Sequence, residues 1–308
     1  MRNQIEKLVF IVCKDGVNGI NFEHSVAEGV VLVNFVEHTL HFVDENLKKK
    51  SIGSAIRRYE PEKLRWTIDE KLSEFLLEIK DDVQNLVNDT EVCILFYKGF
   101  GKNLPKTCKI SPDALFQLIL QLTYYRCHGF LVSTYESAST RRYRFGRVDN
   151  IRSAHPQALA WAKIMEDKVA SEEMKIAAFQ KAVSKQTEIM KNNVTGYGID
   201  NHLNALNELS RQEGLVSSFF NDHIFKELFR FPLSTSQVPQ SYPGTLVGYG
   251  PVVEDGYGCC YTPHPEAIEF VISGFKSCRR TNVAKFKTVL ESTLNDIKMF
   301  LTVSYPYK

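Results

Sequence analysis

The sequence predicts an α/β protein, a two-layer sandwich in which helices flank a mixed β-sheet. Three observations carry this. Short β-branched apolar runs such as Leu8–Cys13 (LVFIVC) and Val92–Tyr97 read as buried strands. Stretches such as Asp69–Asn88 place Leu72, Phe75, Leu76 and Ile79 at helical spacing and read as amphipathic helices. The two kinds of segment are mixed along the chain without a regular βαβ repeat, which favours a mixed sheet.

The elements follow in order. After the first strand, Asp15-Gly16 turns the chain and Gly19–Phe22 returns as a second strand. From His24 to about Asn46 the pattern is helical, with Val30, Val33, Phe35 and Val36 on one side and Lys48–Lys50 closing it with positive charge. Arg57–Arg65 is polar, contains Pro61 and reads as a connection between two bodies. The 69–88 helix and the 92–97 strand come next. Ser111-Pro112-Asp113 is a helix start: Ser as cap, Pro in the first turn, an acid beside the positive helix end. That helix runs to about Tyr125. His155–Asn192 reads as two helices and Ile199–Gln212 as another. Strands are expected over Phe231–Ser236, Leu246–Val253, Cys260–Thr262 and Ile268–Ser273, and a last helix over about Asn282–Leu301.

A chain of 308 residues, 44% of them hydrophobic, can bury one large core or two modest ones. The 38 basic and 36 acidic residues nearly cancel, so nucleic acid or an anionic membrane is not expected as the main partner. Seven cysteines without a CxxC pair argue against a zinc site or a disulfide framework and for a reducing compartment. The N-terminus lacks the apolar core of a signal peptide, and no apolar run has membrane-spanning length, so a cytoplasmic protein is expected. No histidine spacing argues for a metal: His38 and His41 share a helix face but lack an evident third ligand.

Three segments carry chemistry. His24 and Glu28 are four apart, on one face if both are helical. Histidine removes protons near neutral pH, and a carboxylate helps hold its ring. A bare HxxxE also fits a structural histidine. Lys102, Lys106 and Lys109 lie between a buried strand and a helix N-terminus, where anions are often received; a solvated basic loop is the plainer reading. Ser234-Thr235-Ser236 follows an apolar strand, and its hydroxyls either start a turn or face a site.

HxxxE followed by Gly is the signature of acyltransferases built like chloramphenicol acetyltransferase. The wider segment FEHSVAEGVVLVNFVEH (residues 22–38) closely resembles the active-site segment of the choline/carnitine acyltransferases. The resemblance implies that His24 is a general base acting on the acceptor hydroxyl and that Glu28 is the accompanying acid. GKNLPK (101–106) followed by SPDAL (111–115) resembles the family's coenzyme A signature. It places Lys102 and Lys106 at the 3′-phosphate and Asp113 at the cofactor, with Leu115 for the usual Phe and Thr107 where a further lysine is frequent. Ser236 matches the serine that stabilises the tetrahedral oxyanion, and Ser234 one near the substrate ammonium. TYESAS (134–139) puts Tyr135 at the acceptor pocket and Glu136 near the cofactor. Tyr249 matches an aromatic beside the trimethylammonium, a contact between a cation and a ring face.

The acceptor is read from three positions. Carnitine carries a carboxylate and choline does not. The carnitine branch of the family supplies an arginine and two threonines to that end of the pocket, where this sequence has Asn201, Val148 and Asn150. Losing a charge-assisted bond in a buried pocket costs about 2–5 kcal/mol, which favours choline. The resemblance thus implies acetyl transfer from acetyl-coenzyme A to choline, giving acetylcholine, without a metal. Family members are about twice this long and have two lobes with a tunnel between them. On that plan residues 1–62 are the terminal part of the first lobe, 63–308 are the second lobe, and the missing N-terminal lobe is a possible partner. Weak or absent activity of the chain alone is expected. The alternatives are a carnitine O-acyltransferase or a non-catalytic coenzyme A-binding protein.

Overall fold

The computed structural model describes residues 8–24, 28–48 and 65–305. The expected connection over Arg57–Arg65 lies outside them apart from Arg65. Two compact units divide the chain: Met1–Arg65 with Val238–Thr245, and Trp66–Gln237 with Leu246–Lys308.

In the first unit, β1 (Leu8–Val12) pairs antiparallel with β2 (Asn18–Phe22), Leu8 facing Phe22. The turn between them contains Gly16 at φ +90°, a left-handed backbone that glycine adopts freely. Helix α1 spans Gly29–Lys48. It therefore starts five residues after His24, which corrects the expected start. Glu28 ends up just outside, its carbonyl accepting from Val31 N at 3.0 Å. The 238–245 segment lies against α1. The Glu37 carboxylate accepts from the Ser241 amide and hydroxyl and from the Tyr242 amide, and the Tyr242 hydroxyl donates to Asp44 at 2.6 Å.

The second unit opens with α2 (Glu70–Asp89), capped by Asp69 accepting from Leu72 N at 2.8 Å, and runs directly into β3 (Thr90–Tyr97). Then come α3 (Asn103–Thr107), α4 (Pro112–His128), β4 (Thr134–Ser139) and β5 (Val148–Asn150). Helices α5 (Pro156–Glu166), α6 (Glu172–Val194), α7 (Asp200–Gln212), α8 (Ser218–Asn221) and α9 (His223–Leu228) follow. The chain closes with β6 (Leu233–Gln237), β7 (Tyr257–Pro263), β8 (Ile268–Phe275) and α10 (Val283–Ser304). The six strands run in the order β3-β8-β7-β6-β4-β5. β4, β6 and β7 are mutually parallel and the other pairings antiparallel, so the sheet is mixed, as expected.

The core of this unit is built around α4. Every residue from Ala114 to Tyr124 is buried, as befits a helix that is apolar nearly all round. Ser111 accepts from Ala114 N at its start, and Gly129 ends it in the left-handed region at φ +80°. Helix α10 packs beside it with Phe286, Leu290, Leu294, Ile297 and Leu301 buried at three- and four-residue spacing.

One expected strand needs correction, and one strand was not expected. Leu246–Val253 is not a strand but an irregular segment lying on the sheet. A Cβ at Gly248 would meet Val271 Cγ1 at 2.6 Å, and one at Gly258 would meet the Tyr249 and Gly250 carbonyls at 2.9 Å. Glycine on both sides permits this approach, and the Ser273 hydroxyl rather than a ladder partner satisfies the Tyr249 carbonyl, at 2.6 Å. β4 is a strand despite its polar sequence, because Thr134, Glu136 and Ala138 alternate inward.

Candidate active site

His24 is exposed and follows β2. Its ring lies 6.1 Å from that of Phe22, and a Cβ at Gly29 would sit 3.7 Å from its Nε2. The imidazole thus lies near the start of α1. Glu28 is half-buried at the entrance to that helix.

The lysine loop is held by a turn between β7 and β8. Lys102 N donates to the His264 carbonyl at 2.9 Å and Asn103 N to the Pro265 carbonyl at 3.0 Å. Gly101 is obligatory here, since a Cβ would lie 2.3 Å from the His264 carbonyl oxygen and 2.5 Å from Ala267 N. Lys102 is half-buried and Lys106 is exposed in the last turn of α3.

Asp113, in the first turn of α4, accepts from the Tyr261 hydroxyl at 2.7 Å. Beside it is Glu136 on β4, 3% exposed. The Glu136 carboxyl accepts from the Ser153 hydroxyl and from Gln186 Nε2 at 2.8 Å. Burial, and then the charge of Asp113, push the Glu136 carboxyl well above the usual range. The same two causes push the Tyr261 hydroxyl up.

Tyr135, Glu136, Ser234, Thr235 and Ser236 come together on adjacent parallel strands. Tyr135 pairs with Ser234 and Glu136 with Thr235, while Ser236 pairs with Cys260 on the next strand. Ser234 is buried and Ser236 half-buried. The Tyr249 hydroxyl donates to this group, reaching the carbonyls of Ser234 at 3.0 Å and Cys259 at 3.2 Å.

Val148, Asn150 and Asn201 also converge. Asn201 Nδ2 donates to the Val148 carbonyl at 2.9 Å. Asn150 Nδ2 donates to Asp200 Oδ2 at 2.9 Å and its Oδ1 accepts from Glu136 N at 2.9 Å. Both oxygens of Asp200 are clasped by Arg152, at 2.8 and 2.9 Å, and Arg152 Nη1 donates to the Leu228 carbonyl at 2.8 Å. Gln117 and Tyr261 carry no motif signal in the sequence, while Arg152 and Asp200 lie in the acceptor stretches around Asn150 and Asn201. Gln117 and Gln121 do stand out as polar residues four apart inside an apolar helix, a sign of buried hydrogen bonding.

Among the described residues no group of three or more His, Cys, Asp or Glu side chains could hold a metal ion. No helix among them is long and apolar enough to cross a membrane.

The family model for choline/carnitine O-acyltransferases matches residues 5–292. The chain is 39% identical over 303 residues to choline O-acetyltransferase of Sus scrofa, covering 97% of this chain and 47% of that protein. It is 40% identical over 297 residues to choline O-acetyltransferase of Homo sapiens, covering 95% and 40%. It is 37% identical over 296 residues to carnitine O-acetyltransferase of Rattus norvegicus, covering 96% and 47%. The chain belongs to the choline/carnitine O-acyltransferase family. It spans about half the length of the curated relatives it matches.

Proposed function

We propose that the protein transfers an acetyl group from acetyl-coenzyme A to the hydroxyl of choline. In this reading His24 removes the proton of the choline hydroxyl, and the freed oxygen attacks the thioester carbonyl. Ser236 donates to the oxyanion that develops there, and collapse expels the coenzyme A thiolate, which takes up the proton held by His24. Glu28 acts with His24 in this reading. Lys102 and Lys106 hold the 3′-phosphate of coenzyme A, Asp113 and Glu136 lie toward the cofactor, and Tyr135, Ser234 and Tyr249 line the acceptor side. Cytoplasmic residence, where choline and acetyl-coenzyme A are at hand, belongs to the same proposal.

The observation that carries the choice of acceptor is the state of the Val148–Asn150–Asn201 cluster. The Asn150 amide donates to Asp200, the Asn201 amide donates to the Val148 carbonyl, and the nearby Arg152 guanidinium is clasped by Asp200. Val148, Asn150 and Asn201 are neutral, so at these three positions a carnitine carboxylate meets no charge-assisted partner.

Release of coenzyme A thiol from acetyl-coenzyme A, measured with choline and with carnitine, tests the proposal. Weak choline-dependent release by this chain that disappears in His24→Ala is expected, with carnitine the poorer acceptor. The double variant Asn201→Arg with Val148→Thr is expected to shift the preference toward carnitine by about tenfold or more. Faster release with carnitine in the parent would overturn the acceptor. Coenzyme A binding without turnover would mark a cofactor-binding protein instead.

A further inference from the structure

A chain of buried hydrogen bonds joins the two halves of the second unit's site. Gln117 on α4 is fully buried, as is Thr235 on β6, and Tyr261 on β7 is 1% exposed. Gln117 Nε2 donates to Thr235 Oγ1 at 3.0 Å and to the Tyr261 hydroxyl oxygen at 3.0 Å. The Tyr261 hydroxyl donates to Asp113 Oδ1 at 2.7 Å. The Thr235 hydroxyl donates to the Tyr135 carbonyl at 2.6 Å; its alternative acceptor, Gln117 Oε1, is 3.4 Å away.

Proton counting fixes the direction of every bond. Tyr261 has one hydroxyl proton, and it goes to Asp113, so its oxygen accepts from Gln117. Thr235 has one hydroxyl proton, and it goes to Tyr135, so its oxygen also accepts from Gln117. One amide group therefore feeds two arms. One arm ends on the carboxylate at the start of α4. The other ends on the central residue of Ser234-Thr235-Ser236 and the backbone of Tyr135. In a dry interior such a network favours one arrangement, because breaking a member strands a buried polar group.

We propose that Gln117 and Tyr261 are positioning residues that couple Asp113, on the coenzyme A side, to the Ser234–Ser236 strand on the acyl-transfer side. The proposal rests on the coenzyme A role read for Asp113 above. The buried Glu136 on the neighbouring strand β4 is itself fixed, with Ser153 and Gln186 both donating to one of its oxygens.

The test uses the full chain, isothermal calorimetry with coenzyme A, and the backbone amide resonances of Ser234 and Ser236. In the parent, coenzyme A is expected to bind and to shift both resonances. Tyr261→Phe removes the donor to Asp113 and is expected to weaken coenzyme A about tenfold, the loss of one hydrogen bond to a charged group. Thr235→Val keeps the shape of the side chain. It is expected to leave coenzyme A affinity within about twofold while abolishing the shift at Ser236, and Thr235→Ser is expected to restore it. Gln117→Met is expected to silence the Ser234 and Ser236 response. Circular dichroism checks folding, and if Gln117→Met fails to fold, the Tyr261 and Thr235 variants decide. A merely structural role predicts lower melting temperatures with affinity and resonance response intact, and that outcome overturns the coupling. Failure of the parent to bind coenzyme A overturns the proposed function itself and the coupling with it, a result distinguishable from variants that bind like the parent.

Discussion

Two buried titratable side chains give the second unit opposite responses to pH. Glu136 is held well above its ordinary value of 4.5 by burial and by Asp113. The folded state therefore binds a proton more tightly than the unfolded chain. Its contribution to stability is complete below about pH 4.5 and is lost as pH rises through the folded value. Glu136→Gln keeps the shape and a donor toward Asp113 without a titrating proton. Its stability relative to the parent is expected to grow with pH above 4.5, by up to about 1.4 kcal/mol per pH unit, as read from urea midpoints across pH 5 to 8. A flat difference would contradict a protonated Glu136. His155 behaves in the reverse sense. Burial lowers it from 6.5 to about 4, and its Nδ1 caps α5 by accepting from Ala158 N at 3.1 Å. That lone pair exists in the neutral ring, so this contribution is present above pH 6.5 and is lost as pH falls through about 4. His155→Ser, which caps without titrating, is expected to flatten the acid limb of the same urea series. At Arg152 a neutral replacement leaves Asp200 buried without its cation, and Arg152→Ala is expected to cost about 3–5 kcal/mol in the same measurement.

At the scale of elements, the lysine loop separates charge from shape. Gly101→Ala drives a methyl into the backbone of the 264–267 turn and is expected to cost about 2 kcal/mol in stability and to weaken coenzyme A. Lys106→Ala, at an exposed site, is expected to weaken coenzyme A with melting temperature unchanged; equal loss of stability in both variants would show that the loop is only scaffolding. The legibility of the elements follows from what each one buries. α4 was plain in the sequence because Ser111-Pro112-Asp113 caps it and apolar residues fill it. β8 was plain because its inward residues Ile268, Phe270 and Ile272 are apolar, and β6 because it continues the apolar run Phe231–Leu233. β4 was not read as a strand because its inward residues are Thr134, Glu136 and Ala138, polar or small, and satisfied by side chains far away in sequence. The 246–253 stretch looked like a strand from its valines, but Gly248 and Gly250 let it lie across the sheet. The helix expected from His24 is described from Gly29, and residues 25–27 lie outside the described ones. The candidate site residues stand in motifs that the sequence shows directly. The Gln117–Tyr261–Thr235 connection was not legible, because it depends on three elements meeting.

For the molecule as a whole, burial is uneven. Helix α2 has no buried residue, and Phe75, Leu77, Val83 and Val87 are more than half exposed; on β3, Val92 and Phe96 are too. A stripe of that size marks a surface that carries a partner or an aggregation hazard. Phe75→Glu with Val83→Lys is expected to raise the solubility limit of the chain in ammonium sulfate titration with helicity unchanged, whereas lost helicity would mean that the stripe holds α2 in place. The 238–245 segment has a different consequence. It leaves the second unit after β6, bonds to α1 through Ser241 and Tyr242, and returns before Tyr249. Neither unit is therefore one uninterrupted stretch of gene. A clone that starts after Arg65 would encode this excursion without the helix that receives it, and a clone that stops at Arg65 would encode the helix without its excursion. The smallest heritable piece that specifies the first unit in full runs on to Thr245 and so carries most of the second.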